Sequence, residues 1–297
     1  MPKLRGKKKS GRKHRKNGMS ILLVAKQNKA GLAALQKTEK MLRRYTDDIH
    51  VDRSSGFRLR RIGTSIRKFR GDLIITLGGD GTFLLTAHRA NVPILPVRIE
   101  GKGFLCTTDY GDLQKHLPAL FKKKYSVSER MRLKCTKIMS GKISKYIGKI
   151  RHSDYPLSVN EIAFARKRPS KLLNIEMEID GVSYSVVGDG IMFSTPSGST
   201  AYNASAGGPI IDQKLPVISV LPLYPFYSKA KPMVVPADKQ VFVTVRGGEC
   251  ALIVDGHGGD YFKSDSRFVI EKAKPAKVIV FDEQNFYERV KRTLLEE

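Results

Sequence analysis

The segment Gly78-Gly79-Asp80-Gly81-Thr82 joins a permissive backbone to a carboxylate. Glycines there let the chain approach a phosphate closely and turn amide N–H groups toward an anion near a helix start. A carboxylate in such a loop repels its ligand unless a metal ion or basic side chains offset the charge. Asp80 therefore suits a role as acceptor of a hydroxyl proton during phosphoryl transfer. An Asp-Gly pair also serves as an ordinary turn or helix N-cap, and the loop alone leaves both readings open. The sequence contains no Gly-x-x-x-x-Gly-Lys-Ser/Thr, so a P-loop nucleotide fold is not supported.

Three further groups could bind a polar ligand. Gly188-Asp189-Gly190 precedes a run from Ser194 to Pro209 that crowds hydroxyls, small residues and one aromatic into a short span. Ser and Thr can donate to ribose or amide groups, glycines permit close approach, and Tyr202 offers a ring. Such a run is commonly a free linker, but the apolar stretches Ile191 to Phe193 and Ile210 to Ile211 on either side argue against one. Asn160-Glu161 places an amide beside a carboxylate, a pair able to grip a ribose diol and equally common at a strand entry. Asp255-Gly256-His257, after the apolar run Ala251 to Val254, reads most simply as a hairpin turn.

These groups need elements to hold them. Ile21-Leu22-Leu23-Val24 predicts a buried strand, and Leu32 to Arg44 has helical spacing. A second strand, Leu73 to Leu77, runs into the glycine loop, followed by a helix over Phe83 to Ala90 and a third strand over Pro93 to Val97. Strands alternating with helices imply a parallel sheet covered on both faces, with ligands beyond the carboxyl ends of the strands. After about Tyr125 the texture changes to short alternating segments: Leu172 to Ile179, Val182 to Val187, Val241 to Val245 and Phe268 to Glu271. Asp180-Gly181 between two of them is a hairpin signal. The expected organisation is a basic tail over 1–18, an α/β domain over 19–125, a β-rich domain over 126–270, and a C-terminal segment over 271–297 that returns to the α/β domain.

Bulk properties narrow the class. The 297 residues are 41% hydrophobic, enough for a large core. No apolar run reaches membrane-spanning length and no signal peptide is indicated, so a soluble, cytoplasmic protein is expected. Cys106, Cys135 and Cys250 are odd in number and far apart, and the six histidines are equally scattered. Disulfide frameworks and transition-metal sites are therefore not indicated. The formal charge is +26, and residues 1–18 hold nine Lys or Arg without one Asp or Glu. Too apolar-poor to order, this tail could make non-specific contact with polyanions.

The order GGDGTFL at Gly78, GKGFL at Gly101, NE at Asn160, GDG at Gly188 and STPSGSTAYNASAGGPI from Ser194 resembles the NAD kinase family over roughly residues 20 to 270. The Ser194 to Ile210 wording is the most specific part, because GGDGT also occurs in lipid kinases of related architecture. The resemblance implies a two-domain fold of NAD kinase/diacylglycerol kinase type, an α/β domain joined to a β-rich domain, with a dinucleotide held between them. It implies NAD as substrate, ATP or polyphosphate as phosphoryl donor, Mg²⁺ with the donor, and a homodimer or homotetramer. Asp80 would be the catalytic base. Gly79, Gly81 and Thr82 would approach phosphate, and Asn160 and Glu161 would hold ribose hydroxyls or the diphosphate side. Asp189, Ser197, Thr200, Ala201, Tyr202 and Ser205 would line the dinucleotide pocket, joined by Phe104 and His257. The chain departs from the family where Val97-Arg98-Ile99-Glu100-Gly101-Lys102-Gly103 stands in place of the usual Asn followed by Leu-Gly, and over Leu221 to Val235. The alternatives are a lipid kinase sharing GGDGT, a basic nucleic-acid-binding protein, and a nucleotide-binding module without activity.

Overall fold

The computed structural model describes residues 18–138, 155–226, 229–282 and 285–295. The expected basic tail therefore lies, but for Gly18, outside the described residues.

The first third alternates strands and helices. β1 (Ile21–Ala25) leads to α1 (Lys29–Leu42), β2 (Ile49–Val51) to α2 (Arg53–Arg58), and β3 (Leu73–Gly78) to α3 (Asp80–Ala87). β4 (Ile94–Arg98) and the short β5 (Thr108–Asp109) precede α4 (Tyr110–Phe121). β2, β1, β3 and β4 pair in that order, all parallel. Each strand turns alternate residues to opposite faces, and both faces are covered. Ile21 and Leu23 pack with Leu35 of α1 and Leu117 of α4, while Leu22 and Val24 pack with Phe83 and Ala87 of α3.

α1 and α3 both start earlier than the apolar spacing predicts. Asn28 caps α1 by accepting from Gly31 N–H, which begins the helix at Lys29. α3 begins at Asp80, because the N–H groups of Thr82 and Phe83 already bond to Gly79 C=O. Apolar periodicity marks the buried face of a helix, whereas its first turn is set by the cap.

The rest is antiparallel. β6 (Ser126–Ile138), β7 (Glu161–Arg166), β8 (Leu173–Ile179), β9 (Val182–Gly188) and β10 (Gly190–Ser194) come first, then the short α5 (Tyr202–Ser205). β11 (Val217–Leu223), β12 (Met233–Pro236), β13 (Val241–Arg246), β14 (Cys250–Val254), β15 (His257–Phe262) and β16 (Ser266–Val280) follow, and α6 (Phe286–Val290) comes last. β8 and β9 close the expected hairpin through Asp180 and Gly181, with φ of +50° and +76°. Six strands form one sheet in the order β12-β11-β10-β7-β14-β15. It packs on β6, β8, β13 and β16 through a core that includes Phe164, Phe193, Val243 and Phe268.

β16 joins the two halves. Its start pairs with β13 and its whole length with β6, while Val278 near its end pairs in parallel with Ile94 of β4. The parallel strands and the outer antiparallel layer are thereby one ten-stranded sheet. Ile279 reaches the core under α1 and α4. Among the described residues no helix is long and apolar enough to cross a membrane, and the three cysteines are free and buried.

Candidate active site

The glycine loop follows β3 directly, at the carboxyl edge of the parallel strands. Gly79 caps α3 in an extended conformation and Asp80 is the first helical residue. The Asp80 side chain does not serve its own helix. Its carboxylate accepts from three successive backbone N–H groups, those of Phe104 (2.8 Å), Leu105 (3.1 Å) and Cys106 (3.3 Å). A Cβ on Gly103 would come within 2.6 Å of that carboxylate, so the second glycine of the GKGFL stretch makes room for it. The cap reading of Asp80 therefore gives way to a carboxylate gripped by a neighbouring loop. Gly79, Gly81 and Thr82 line a cavity of about 330 Å³ together with Lys26, Asn28 and Glu100. Burial, then the Asp80 charge, pushes the adjacent Cys106 thiol up to about 12, which leaves it protonated and inert.

The second half of the site is organised by Asp255. This residue does occupy the turn between β14 and β15, at φ +48°, yet its side chain is fully buried. It accepts from Ser158 Oγ (2.6 Å) and from the backbone N–H groups of Val159 (2.8 Å), Asn160 (2.8 Å) and Glu161 (3.1 Å). His88, at the C-cap of α3, places Nε2 2.7 Å from the same carboxylate. Burial alone would raise the Asp255 pKa, but the bonds from His88, Ser158 and Val159 hold it below the usual carboxylate range. One ion thus pins the entry to β7 and ties it to α3.

That entry carries Asn160 and Glu161, both buried. Asn160 Oδ1 and Glu161 Oε2 lie out of solvent without a hydrogen-bond partner among the described residues. Burial, then the nearby Asp255 charge, pushes the Glu161 carboxyl up to about 7. Buried polar atoms are normally satisfied, so two adjacent orphaned acceptors point to a ligand that brings donors.

The Ser194 to Ile211 run closes over this pair. Thr195 Oγ1 donates to Val159 C=O (2.5 Å), and Ser199 Oγ accepts from Ile211 N–H (3.0 Å). Asn203 Nδ2 donates to Pro209 C=O (2.9 Å), while its Oδ1 accepts from Ser219 Oγ (3.0 Å). Much of the polarity in this run therefore fastens the loop. A Cβ on Gly198 would sit 2.1 Å from Asn160 C=O, so the turn rests directly on the Asn160 backbone. Ser197 and Thr200 are buried in that turn, with Thr200 Oγ1 donating to Ser197 C=O (3.3 Å). Ala201, the exposed Tyr202 and the exposed Ser205 continue it into α5.

Phe104, His257 and Asp189 complete the expected set. Phe104 is buried beside Asp80, with its ring 5.7 Å from the Arg289 guanidinium. His257 is exposed, its Nδ1 3.0 Å from Asp255 C=O and its ring 6.1 Å from that of His88. Asp189 stands apart. β7 and β10 pair Ser194 with Glu161 at one end and Gly190 with Ala165 at the other, which leaves Asp189 past the far end, bonded to Arg166 at 3.0 Å. Within one chain the fold does not bring it to the others.

The model for the ATP-NAD kinase N-terminal domain matches residues 12–125, and that for the ATP-NAD kinase C-terminal domain matches residues 159–281. The NAD kinase of Methanothermobacter thermautotrophicus is 31% identical over 245 residues, covering 80% of this chain and 81% of that protein. That of Pyrococcus furiosus is 34% identical over 212 residues, covering 70% and 72%. This chain belongs to the NAD kinase family. Solved structures of yeast NADH kinase with NADH (TM-score 0.82, 20% identity, 94% of this chain and 88% of that one) and of Archaeoglobus fulgidus NAD kinase with ATP (0.68, 24%, 91% and 98%) share its fold. The chain is therefore an enzyme of the kinase class, with the two-domain NAD kinase fold of an N-terminal parallel α/β domain and a C-terminal antiparallel domain.

Sequence reading passed over His88 and treated Asp255 as a turn residue only. Their contact spans 167 positions, and no local spacing could announce it.

Proposed function

We propose that this NAD kinase family member transfers the terminal phosphoryl group of ATP or polyphosphate to the 2′-hydroxyl of the adenosine ribose of NAD, giving NADP, with Asp80 as general base. The observation that carries the reading is the orphaned pair of acceptors on Asn160 and Glu161. Buried acceptors at successive positions suit the donors of a ribose diol, and Gly198 brings the Ser197 to Tyr202 turn against the Asn160 backbone.

A ribose hydroxyl is a poor nucleophile, and phosphoryl transfer depends chiefly on alignment and charge stabilisation. The three amides that hold Asp80 orient its carboxylate. A carboxylate offers roughly four lone-pair sites, so one remains for the attacking hydroxyl. Asp80 takes the proton as the new P–O bond forms and the bond to the leaving phosphate breaks. Mg²⁺ on the donor would neutralise its phosphate oxygens. Among the described residues no group of three His, Cys, Asp or Glu could hold a metal. A homodimer or homotetramer and a cytoplasmic location belong to the same proposal. The position of Asp189, away from the other site residues of its own chain, is compatible with service in a neighbouring copy.

The test is to incubate purified protein with NAD, ATP and Mg²⁺, or with polyphosphate as donor, and to detect NADP with an NADP-specific dehydrogenase. Asp80→Asn is expected to lower turnover by about 10²–10⁴-fold with NAD binding retained. Near-normal turnover in that variant removes the base role, and no NADP from wild type with either donor removes the kinase reading.

A further inference from the structure

Arg130 and Arg132 lie two residues apart on β6 and so share a face of the strand. Both are buried, yet they are treated differently. The Arg132 guanidinium donates to the carbonyls of Lys274 (2.7 Å), Ala87 (2.6 Å) and Pro275 (3.3 Å), stitching β6 to the end of α3. Arg130 is only 6% exposed, and its guanidinium has no hydrogen-bond or carboxylate partner among the described residues. The charge that acts on it is a second buried guanidinium, Arg289 of α6. Burial, then that like charge, pushes Arg130 down to about 10, so it stays cationic at neutral pH.

Both arginines line a cavity of about 780 Å³ walled by β6, the end of β16 and α6. Asp80 partly offsets the charge of Arg289 from outside this cavity, but among the described residues no carboxylate on the wall pairs with either arginine. Glu129 and Asp282 are exposed, and Asp212 is engaged by the Tyr287 hydroxyl and the Lys214 N–H. Two desolvated cations facing one cavity are unfavourable unless an anion joins them. The planar guanidinium fork fits phosphate oxygens in particular. The volume is that of a small-molecule pocket.

We propose that Arg130 and Arg289 form a subsite for the oxygens of a multiply charged phosphate in this cavity. The subsite adjoins the reacting centre through a single residue. Phe104 N–H donates to Asp80 and its carbonyl accepts from the Arg289 guanidinium, so an anion drawing on Arg289 bears on the loop that grips Asp80. The phosphate could be the tail of the phosphoryl donor or a free phosphate, and both present the same chemistry.

Calorimetric titration of the full chain with inorganic tripolyphosphate tests the proposal without turnover, so its outcome is independent of whether NADP is made. Wild type is expected to bind, and Arg130→Gln to bind at least about tenfold more weakly for loss of a charge-assisted contact. Arg289→Gln is expected to weaken binding likewise and serves if Arg130→Gln does not fold. Arg246→Gln, on the exposed end of β13, is the control. Parallel titrations with ATP and with orthophosphate assign the source. A proportional loss of ATP affinity identifies the donor tail, and unchanged ATP affinity with weakened tripolyphosphate and orthophosphate identifies a free phosphate. Tripolyphosphate binding that is absent from wild type, equal in wild type and both variants, or equally weakened in Arg246→Gln overturns the proposal.

Discussion

Glu161 carries a cost that the proposed ligand would relieve. Its carboxyl titrates near 7 in the folded chain, against an ordinary value of 4.5. The folded state therefore keeps a proton that the unfolded chain has already released. The contribution of this group to stability is highest below about 4.5, declines as pH rises toward 7, and stays lower above it by about 3 kcal/mol. Glu161→Gln removes that penalty. Urea melts are expected to show the variant more stable than wild type at pH 8 by up to about 3 kcal/mol, with the gap closing by pH 5. The same variant should bind NAD more weakly at pH 8, since a ribose hydroxyl donates best to the ionised carboxylate. A pH-independent stability difference would show that Glu161 does not titrate in this range. At this scale Asp80, Asn160 and Glu161 were singled out in the sequence as candidates, by the short strings that carry the family resemblance. Asp255 was not, because an Asp-Gly turn looks the same whether its carboxylate meets water or five buried donors.

Elements bring these side chains together through close backbone approach. The Gly198 turn lies against Asn160, with 2.1 Å between an added Cβ and the Asn160 carbonyl. Gly198→Ala must move one of the two, at a cost of about 1–3 kcal/mol in stability. NAD affinity is expected to fall further than stability alone accounts for, because Asn160 is one of the residues proposed to meet the ligand. A denaturation curve beside an NAD titration separates the two effects, and unchanged NAD affinity would place the turn outside the site. The strand and helix order was readable from periodicity, while the start of α3 was not. Its first turn, with Asp80 in it, is fixed by the Gly79 cap and by a loop 24 residues downstream.

The whole molecule combines a site for anionic nucleotides with a strongly basic surface. Its charge of +26 draws polyanions over long range, and the nine Lys or Arg of residues 1–18 concentrate part of it at one end. Deleting residues 1–18 is expected to leave NADP formation unchanged. RNA binding should weaken and the slope of log K against log salt should flatten, since fewer counterions are released. An unchanged salt slope would assign RNA contact, if present, to the folded surface instead.

Taken alone, the sequence determined what depends on near neighbours. It set the strand–helix alternation of the first third, the Asp180-Gly181 hairpin, and the residue types available for phosphoryl transfer and ribose binding. Tertiary structure decided everything that depends on distant partners. It turned Asp80 from its own helix toward the amides of 104–106, and joined His88 and Asp255 across the site. It ran β16 from the antiparallel layer into the parallel one, left Arg130 beside Arg289 without a counter-ion among the described residues, and carried Asp189 to the far end of β10. The physical reason is that burial and hydrogen-bond satisfaction belong to the packed whole, whereas spacing along the chain reports only what each residue meets within a few turns or one strand.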